Sequence, residues 1–181
     1  MRNTRRRKTR VEPVKLLVVY DSLTGNVETM AKAVAEGARE AGGLVTLKRV
    51  DEVEVEEIPS FDAFAFGSPT HCGTMTARMN DFFNQKMIKH WGKLRYKVAA
   101  AFASSGGLGG GSEMMLLSII SVIINFGMMT FGVPDYVSPG VTLHYGAIAI
   151  GEPDKNSLEA CKLLGKRLIE HAEVLKGGLR K

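Results

Sequence analysis

Cysteine is scarce in this chain: its 181 residues include two, Cys72 and Cys161. Two cannot build a disulfide framework, and their spacing matches no zinc motif, so neither a stapled secreted domain nor a zinc module organises the chain. No metal site is expected, and a reducing, cytoplasmic setting is the expectation. Long linkers and internal repeats are missing as well. One domain over 13–181 is therefore expected, long enough to bury a substantial core.

Acidic residues are absent from the first ten positions, which carry Arg2, Arg5, Arg6, Arg7, Lys8 and Arg10. Removing those six positives from the formal net charge of +5 leaves −1 for everything else. The basic balance therefore belongs to an arm, 1–12, expected to be solvated and disordered. Weak adhesion to nucleic acid or an anionic membrane is the alternative use of such a run, but no specific nucleic-acid site is expected. The apolar stretch behind it, about seven residues long, makes a poor signal peptide.

Charge of either sign is absent from Met114 to Pro134, a run of 21 residues. Length alone fits a membrane span. Ser118, Ser121, Asn125, Gly127, Gly132 and Pro134 interrupt it, so a buried or intersubunit helix over about 113–129 is expected, with no membrane span. Apolar nearly all round, that helix would leave an exposed patch on a monomer. A homodimer or homotetramer follows as an expectation.

What is present is organised around Val14 to Ala31. The apolar run Val14–Tyr20 breaks into Asp21-Ser22-Leu23-Thr24-Gly25-Asn26, and apolar residues then recur at Val27, Met30, Ala31, Val34, Ala35 and Ala38. That is strand, tight loop and amphipathic helix. A helix start offers unpaired N–H groups and partial positive charge, which together bind a phosphate without Arg or Lys. Ser22 and Thr24 add hydroxyls, Gly25 permits close backbone approach, and Asn26 reads as the residue starting the helix. Only one glycine stands in the loop, so neither the Walker loop nor the dinucleotide fingerprint is matched. On its own the segment fits an ordinary capped turn as well as a mononucleotide phosphate site.

Further strands are expected at 44–50, at 61–67 and from Arg95 or Tyr96 to Ser104. An extended stretch follows at 131–137 and a buried strand at 146–151. Helices are expected through Met75–Met87, over 113–129 and over 155–175. Strands alternating with helices give an α/β class, a mostly parallel sheet with helices on both faces. Loops beginning at Asp21, Gly67 and Ser104 all follow strands, so they should converge at the carboxyl ends of the sheet.

The run Tyr20 to Ala31 resembles the flavodoxin signature, whose hydroxyl-rich loop holds the phosphate of FMN. Two later loops resemble flavodoxin-like NAD(P)H:quinone reductases of the tryptophan-repressor-binding (WrbA) type. Gly67-Ser68-Pro69-Thr70-His71-Cys72-Gly73-Thr74-Met75 is similar to the family's G-T-P-T-x-x-G-x-M, and Ser104-Ser105-Gly106-Gly107-Leu108-Gly109-Gly110-Gly111 to its S-S-x-G-x-G-G-G. Tyr145-Gly146-Ala147 matches its Y-G-A. The resemblance implies a three-layer sandwich with five parallel strands ordered 2-1-3-4-5. It implies that Ser22, Leu23, Thr24, Gly25, Asn26 and Val27 hold the phosphate. Pro69, Thr70, His71, Cys72 and Gly73 would border the ring edge, and Ser104, Ser105, Gly106, Gly107, Leu108 and Gly109 would line the other side. Cys72 reads as a wall residue rather than a redox thiol.

His71 is the candidate acid–base residue, while the flavin carries the electron chemistry. Two departures stand out. Asn125-Phe126-Gly127-Met128 replaces the family's His-His-Gly-Met, and the insertion between its second and third strands is largely absent. Trp91 fits either the family's substrate-side tryptophan or a packing role. The function expected is electron transfer from NAD(P)H through FMN to a quinone or similar acceptor. The alternative is a flavodoxin carrying electrons between redox proteins. A near-neutral core favours the first, and the missing histidine pair favours the second. A response-regulator receiver is a poor fit, because the third strand ends in Gly67-Ser68, without a phosphorylatable Asp.

Overall fold

A computed structural model of the chain describes residues 12–178; the basic arm expected at 1–12 lies outside them except for Glu12. The expected α/β sandwich is present. Strands β1 (Lys15–Tyr20), β2 (Leu44–Arg49), β3 (Ala63–Pro69), β4 (Val98–Ser105) and β7 (Ala147–Ile150) form one parallel sheet in the order β2-β1-β3-β4-β7. Counted within that sheet, this is the expected order 2-1-3-4-5. Chain direction across the sheet reverses between β1 and β3, the place where such sheets hold ligands.

Strand alternation sends successive side chains to opposite faces. Leu16, Val18, Ala65, Ala100 and Phe102 meet helices α1 (Asn26–Glu40) and α4 (Lys155–Gly178) on one side. Leu17, Val19, Phe64, Phe66 and Ala101 meet α2 (Ala77–Asp81) and α3 (Ser112–Asn125) on the other. After α2 the chain widens into a π-type turn at Phe82–Lys86 and tightens into a 3-10 turn at Met87–His90, instead of one helix through Met75–Met87. The widened turn brings two consecutive aromatic rings onto Phe66, Phe82 at 6.3 Å and Phe83 at 5.0 Å between centroids.

The third helix stops at Asn125, short of the expected Met129. Gly127 takes φ +72°, and the N–H groups of Gly127 and Met128 donate back to Ile124 and Ile123 (2.9 and 3.2 Å), a glycine-type helix end. Met129 instead pairs with the start of β4. The extended stretch expected at 131–137 is β5 (Val133–Ser138), and it leaves the main sheet to form a hairpin with β6 (Val141–Leu143). Arg167 of α4 holds that hairpin through Asp135, 2.9 Å away. Among the described residues no helix is long and apolar enough to cross a membrane.

Helices α1 and α4 touch backbone to backbone. A Cβ on Gly37 would lie 2.0 Å from the Lys162 carbonyl oxygen, and one on Gly165 would lie 2.1 Å from that of Val34. Neither neighbour can yield without moving a helix. Gly37→Val should therefore destabilise the chain by about 3 kcal/mol or more. Gly177→Ala, in open space on α4, should stabilise it by about 0.5 kcal/mol. Urea denaturation of both variants checks the contrast.

Candidate active site

The first loop leaves β1 at Asp21 and enters α1 at Asn26. Gly25 is the N-cap, at φ +90°, a conformation open to glycine, and it supplies no side chain to cap the helix. The amides that open α1 are thus unclaimed by any capping side chain, at the positive end of a four-turn helix. Ser22 Oγ accepts from the Gly25 amide (3.1 Å) and shapes the loop. Thr24 is exposed, and Leu23 points outward at 60% exposure, so Leu23 has only its backbone to offer a ligand here. The same holds for Val27, whose side chain is buried in the core. Asn26 does not cap the helix as expected: its Nδ2 donates to the Gly151 carbonyl (2.8 Å), a strut to the loop after β7.

The second loop folds back on itself. His71 and Thr74 exchange N–H···O bonds of 2.8 and 3.0 Å around Cys72 (φ +50°) and Gly73 (φ +80°). Two consecutive residues at positive φ make a type I′ turn. Cys72 is the strained member, a non-glycine residue in the left-handed region. His71 and Cys72 are exposed at the tip, while Thr70 Oγ1 is buried with no hydrogen-bond partner.

Ser104 and Ser105 belong to β4, so the third loop begins two residues later than expected. Ser105 Oγ donates to the Gly107 carbonyl (3.1 Å), and Leu108 at the tip is 92% exposed. Helix α3 then starts behind Gly111, again with no side-chain cap.

All three loops meet. The Asp21 amide donates to the Gly67 carbonyl (2.9 Å), that of Thr70 to Ser104 (2.8 Å) and that of Gly151 to Ser105 (2.7 Å). Gly111 sits against Gly73, where an added Cβ would be 3.5 Å from its Cα. Sequence reasoning missed three members of this assembly. Asp21 is fully buried, and its Oδ2 accepts from Thr76 Oγ1 (2.6 Å) and Arg78 Nε (3.2 Å). A charged residue ending a buried strand was the available signal. Trp91 lies elsewhere, its ring 5.3 Å from that of Phe126 at the amino-terminal end of β4, and it is 55% exposed.

One end of a parallel sheet thus gathers an uncapped helix start and two glycine-rich loops around an orphaned hydroxyl. The Flavodoxin family model matches residues 18–115, which include all three loops. The chain belongs to the flavodoxin family. A flavodoxin from Aquifex aeolicus is 46% identical over 166 residues, covering 91% of this chain and 90% of that protein. An NAD(P)H dehydrogenase (quinone) from Archaeoglobus fulgidus is 36% identical over 193 residues, covering 89% and 98%. Among solved structures, a WrbA-like flavodoxin from Agrobacterium tumefaciens superposes with a TM-score of 0.72 at 28% identity, covering 89% and 98%. Membership implies a flavin, and the residues fit one. The uncapped amides of α1 suit its phosphate, and Thr70 Oγ1 lacks the partner that a polar ring edge can supply.

The two thiols of this flavodoxin-family chain differ sharply. Burial pushes the Cys161 thiol far up, so it stays protonated and enclosed, whereas Cys72 is exposed. Alkylation of the folded protein at pH 8 should label one thiol per chain, at Cys72, with Cys161 labelled only after denaturation; peptide mass mapping checks this.

Proposed function

We propose that the chain is an FMN enzyme of the WrbA type, moving electrons from NAD(P)H to a quinone or similar small acceptor. The observation that carries the reading is the start of α1, whose amides no side chain claims and whose loop is tied by hydrogen bonds to the base of the second loop and, through Asn26, to the loop after β7. Ser22, Thr24 and the backbone of Leu23, Gly25, Asn26 and Val27 would hold the phosphate. Pro69 to Gly73 would border the ring on one side and Ser104 to Gly109 on the other. FMN supplies the hydride and electron chemistry when bound there. The protein's own part is to exclude water from the ring faces and fix the ring's polar edge with backbone groups. His71, exposed at the tip of the second loop, is the group available to donate a hydrogen bond or proton to an acceptor.

A second reading, an electron carrier docking on other redox proteins, has its own support. Asp51, Glu52, Glu113, Glu152 and Asp154 are exposed beyond the carboxyl ends of the strands, around the outward-facing Leu23 and Leu108. Arg78 and Lys155 stand among them, so the rim has an acidic excess, and with its apolar tips it suits a basic protein partner. On either reading, Met114, Leu117 and Ile124 leave α3 with an exposed apolar face, which supports a homodimer or homotetramer that covers it.

Anaerobic mixing of the FMN-loaded protein with NADH or NADPH, followed by benzoquinone, tests the enzyme reading. Full bleaching of the flavin and rapid recovery on adding quinone are expected. No bleaching by either nucleotide, with dithionite reduction pausing at a one-electron stage, would establish the carrier instead. Gly25→Val, forced into a positive φ, should weaken FMN binding by about tenfold or more, as read by fluorescence titration.

A further inference from the structure

A carboxylate is an unexpected neighbour for a phosphate loop. Asp21 stands immediately before that loop with no exposed surface, and its charge would oppose a phosphate dianion bound at the start of α1. Arg78 answers it. Its Nε donates to Oδ2 (3.2 Å), and its Nη2 lies 2.8 Å from Oδ1 as an ion pair not aligned for a hydrogen bond. The guanidinium is itself about half exposed, on the first turn of α2, so it reaches the carboxylate from the solvent side.

Thr76 completes the arrangement. Its hydroxyl donates to Asp21 Oδ2 (2.6 Å) and accepts from the Met79 amide (3.2 Å) as the N-cap of α2, while its own amide donates to Ser68 Oγ (3.0 Å). Asp21 therefore fastens the first loop to the base of the second. The two jobs separate chemically: the bond from Thr76 needs only an oxygen acceptor, but the pairing with Arg78 needs the charge.

We infer that Asp21 and Arg78 form a positioning pair for the phosphate end of the flavin. Asp21 holds the first two loops together, and Arg78 cancels its charge so that an anion can bind beside it. The inference rests on the placement of the phosphate under the proposed function. Removing Arg78 alone leaves an uncompensated buried carboxylate one residue before the loop that would take the phosphate. The penalty falls on the anionic ligand. Riboflavin has the same ring and no phosphate, so it is spared.

The test is a fluorescence titration of the full-length apo chain with FMN and, separately, riboflavin. The wild type should prefer FMN. Arg78→Met should weaken FMN by about tenfold and riboflavin by less than about twofold, with the FMN loss shrinking as salt is raised. The double variant Asp21→Asn with Arg78→Met keeps an acceptor for Thr76 and removes both charges, and it should regain most of the FMN affinity. Arg78→Lys should stay close to wild type. Thermal unfolding of each apo variant, read by circular dichroism, separates lost binding from lost fold. Equal losses for both ligands in Arg78→Met, or a double variant no tighter than Arg78→Met, would overturn the pair's role and leave the phosphate placement intact. A wild-type chain that binds riboflavin as tightly as FMN would overturn the placement itself, and the pair with it.

Discussion

The register of the parallel sheet is the constraint on which the rest depends. Tyr20 pairs with Gly67, Gly67 with Phe102, and Phe102 with Ala147, so four strands pass one common level. From there β1 stops, β3 runs two residues further to Pro69 and β4 three further to Ser105. At about 3.3 Å per residue this is a staircase whose upper steps stand roughly 7 and 10 Å above the end of β1. The first loop leaves the lowest step and the other two stand above it. A hydrogen-bond ladder, rather than any loop sequence, therefore gives the crevice its floor and walls.

Much of this was legible in the chain. Asp21–Asn26, Gly67–Thr74 and Ser104–Gly111 stand out because their small, polar and glycine-rich composition interrupts apolar strands, and three such breaks in a βα alternation can only meet at one end of the sheet. Other features left no mark. Gly37 and Gly165 look like tolerated helix glycines until the two helices are seen in backbone contact. Asn26 has the residue type of an N-cap, yet it spends its amide on Gly151, more than a hundred residues away, where sequence spacing gives no signal. The third helix was read too long because its apolar run continues past Gly127, and periodicity alone does not show where a glycine will turn the chain. The β5–β6 hairpin escaped notice for a similar reason: its second strand is three residues long.

Charge was misleading when taken as a sum. A core of net −1 beside a basic arm suggested a surface with no preference. The described residues instead place Asp51, Glu52, Glu113, Glu152 and Asp154 around the loop end with Arg49, Arg78 and Lys155 among them, while Lys15, Lys93, Arg95, Lys97 and Lys176 stand at the opposite end of the sheet beside Asp62. Burial lowers the affinity of Lys97 for its proton, yet its Nζ still donates to the carbonyls of Pro59 and Phe61. Near-neutrality in such a chain conceals local excesses of either sign, and long-range steering responds to their arrangement rather than to the total.

The glycine contact between α1 and α4 has a consequence for ligands that never touch it. Gly37 lies eleven residues from Asn26, about 17 Å along the axis at 1.5 Å per residue. The helix is fixed closely against α4 there, and its uncapped amides stand at the far end, where Asn26 is the strut to the loop after β7. A tilt of about five degrees about that point displaces those amides by about 1.5 Å, half the length of a hydrogen bond. The rear contact of α1 is thus a gauge for its front end, and the geometry of the proposed phosphate site depends as much on two missing side chains between α1 and α4 as on the loop before the helix.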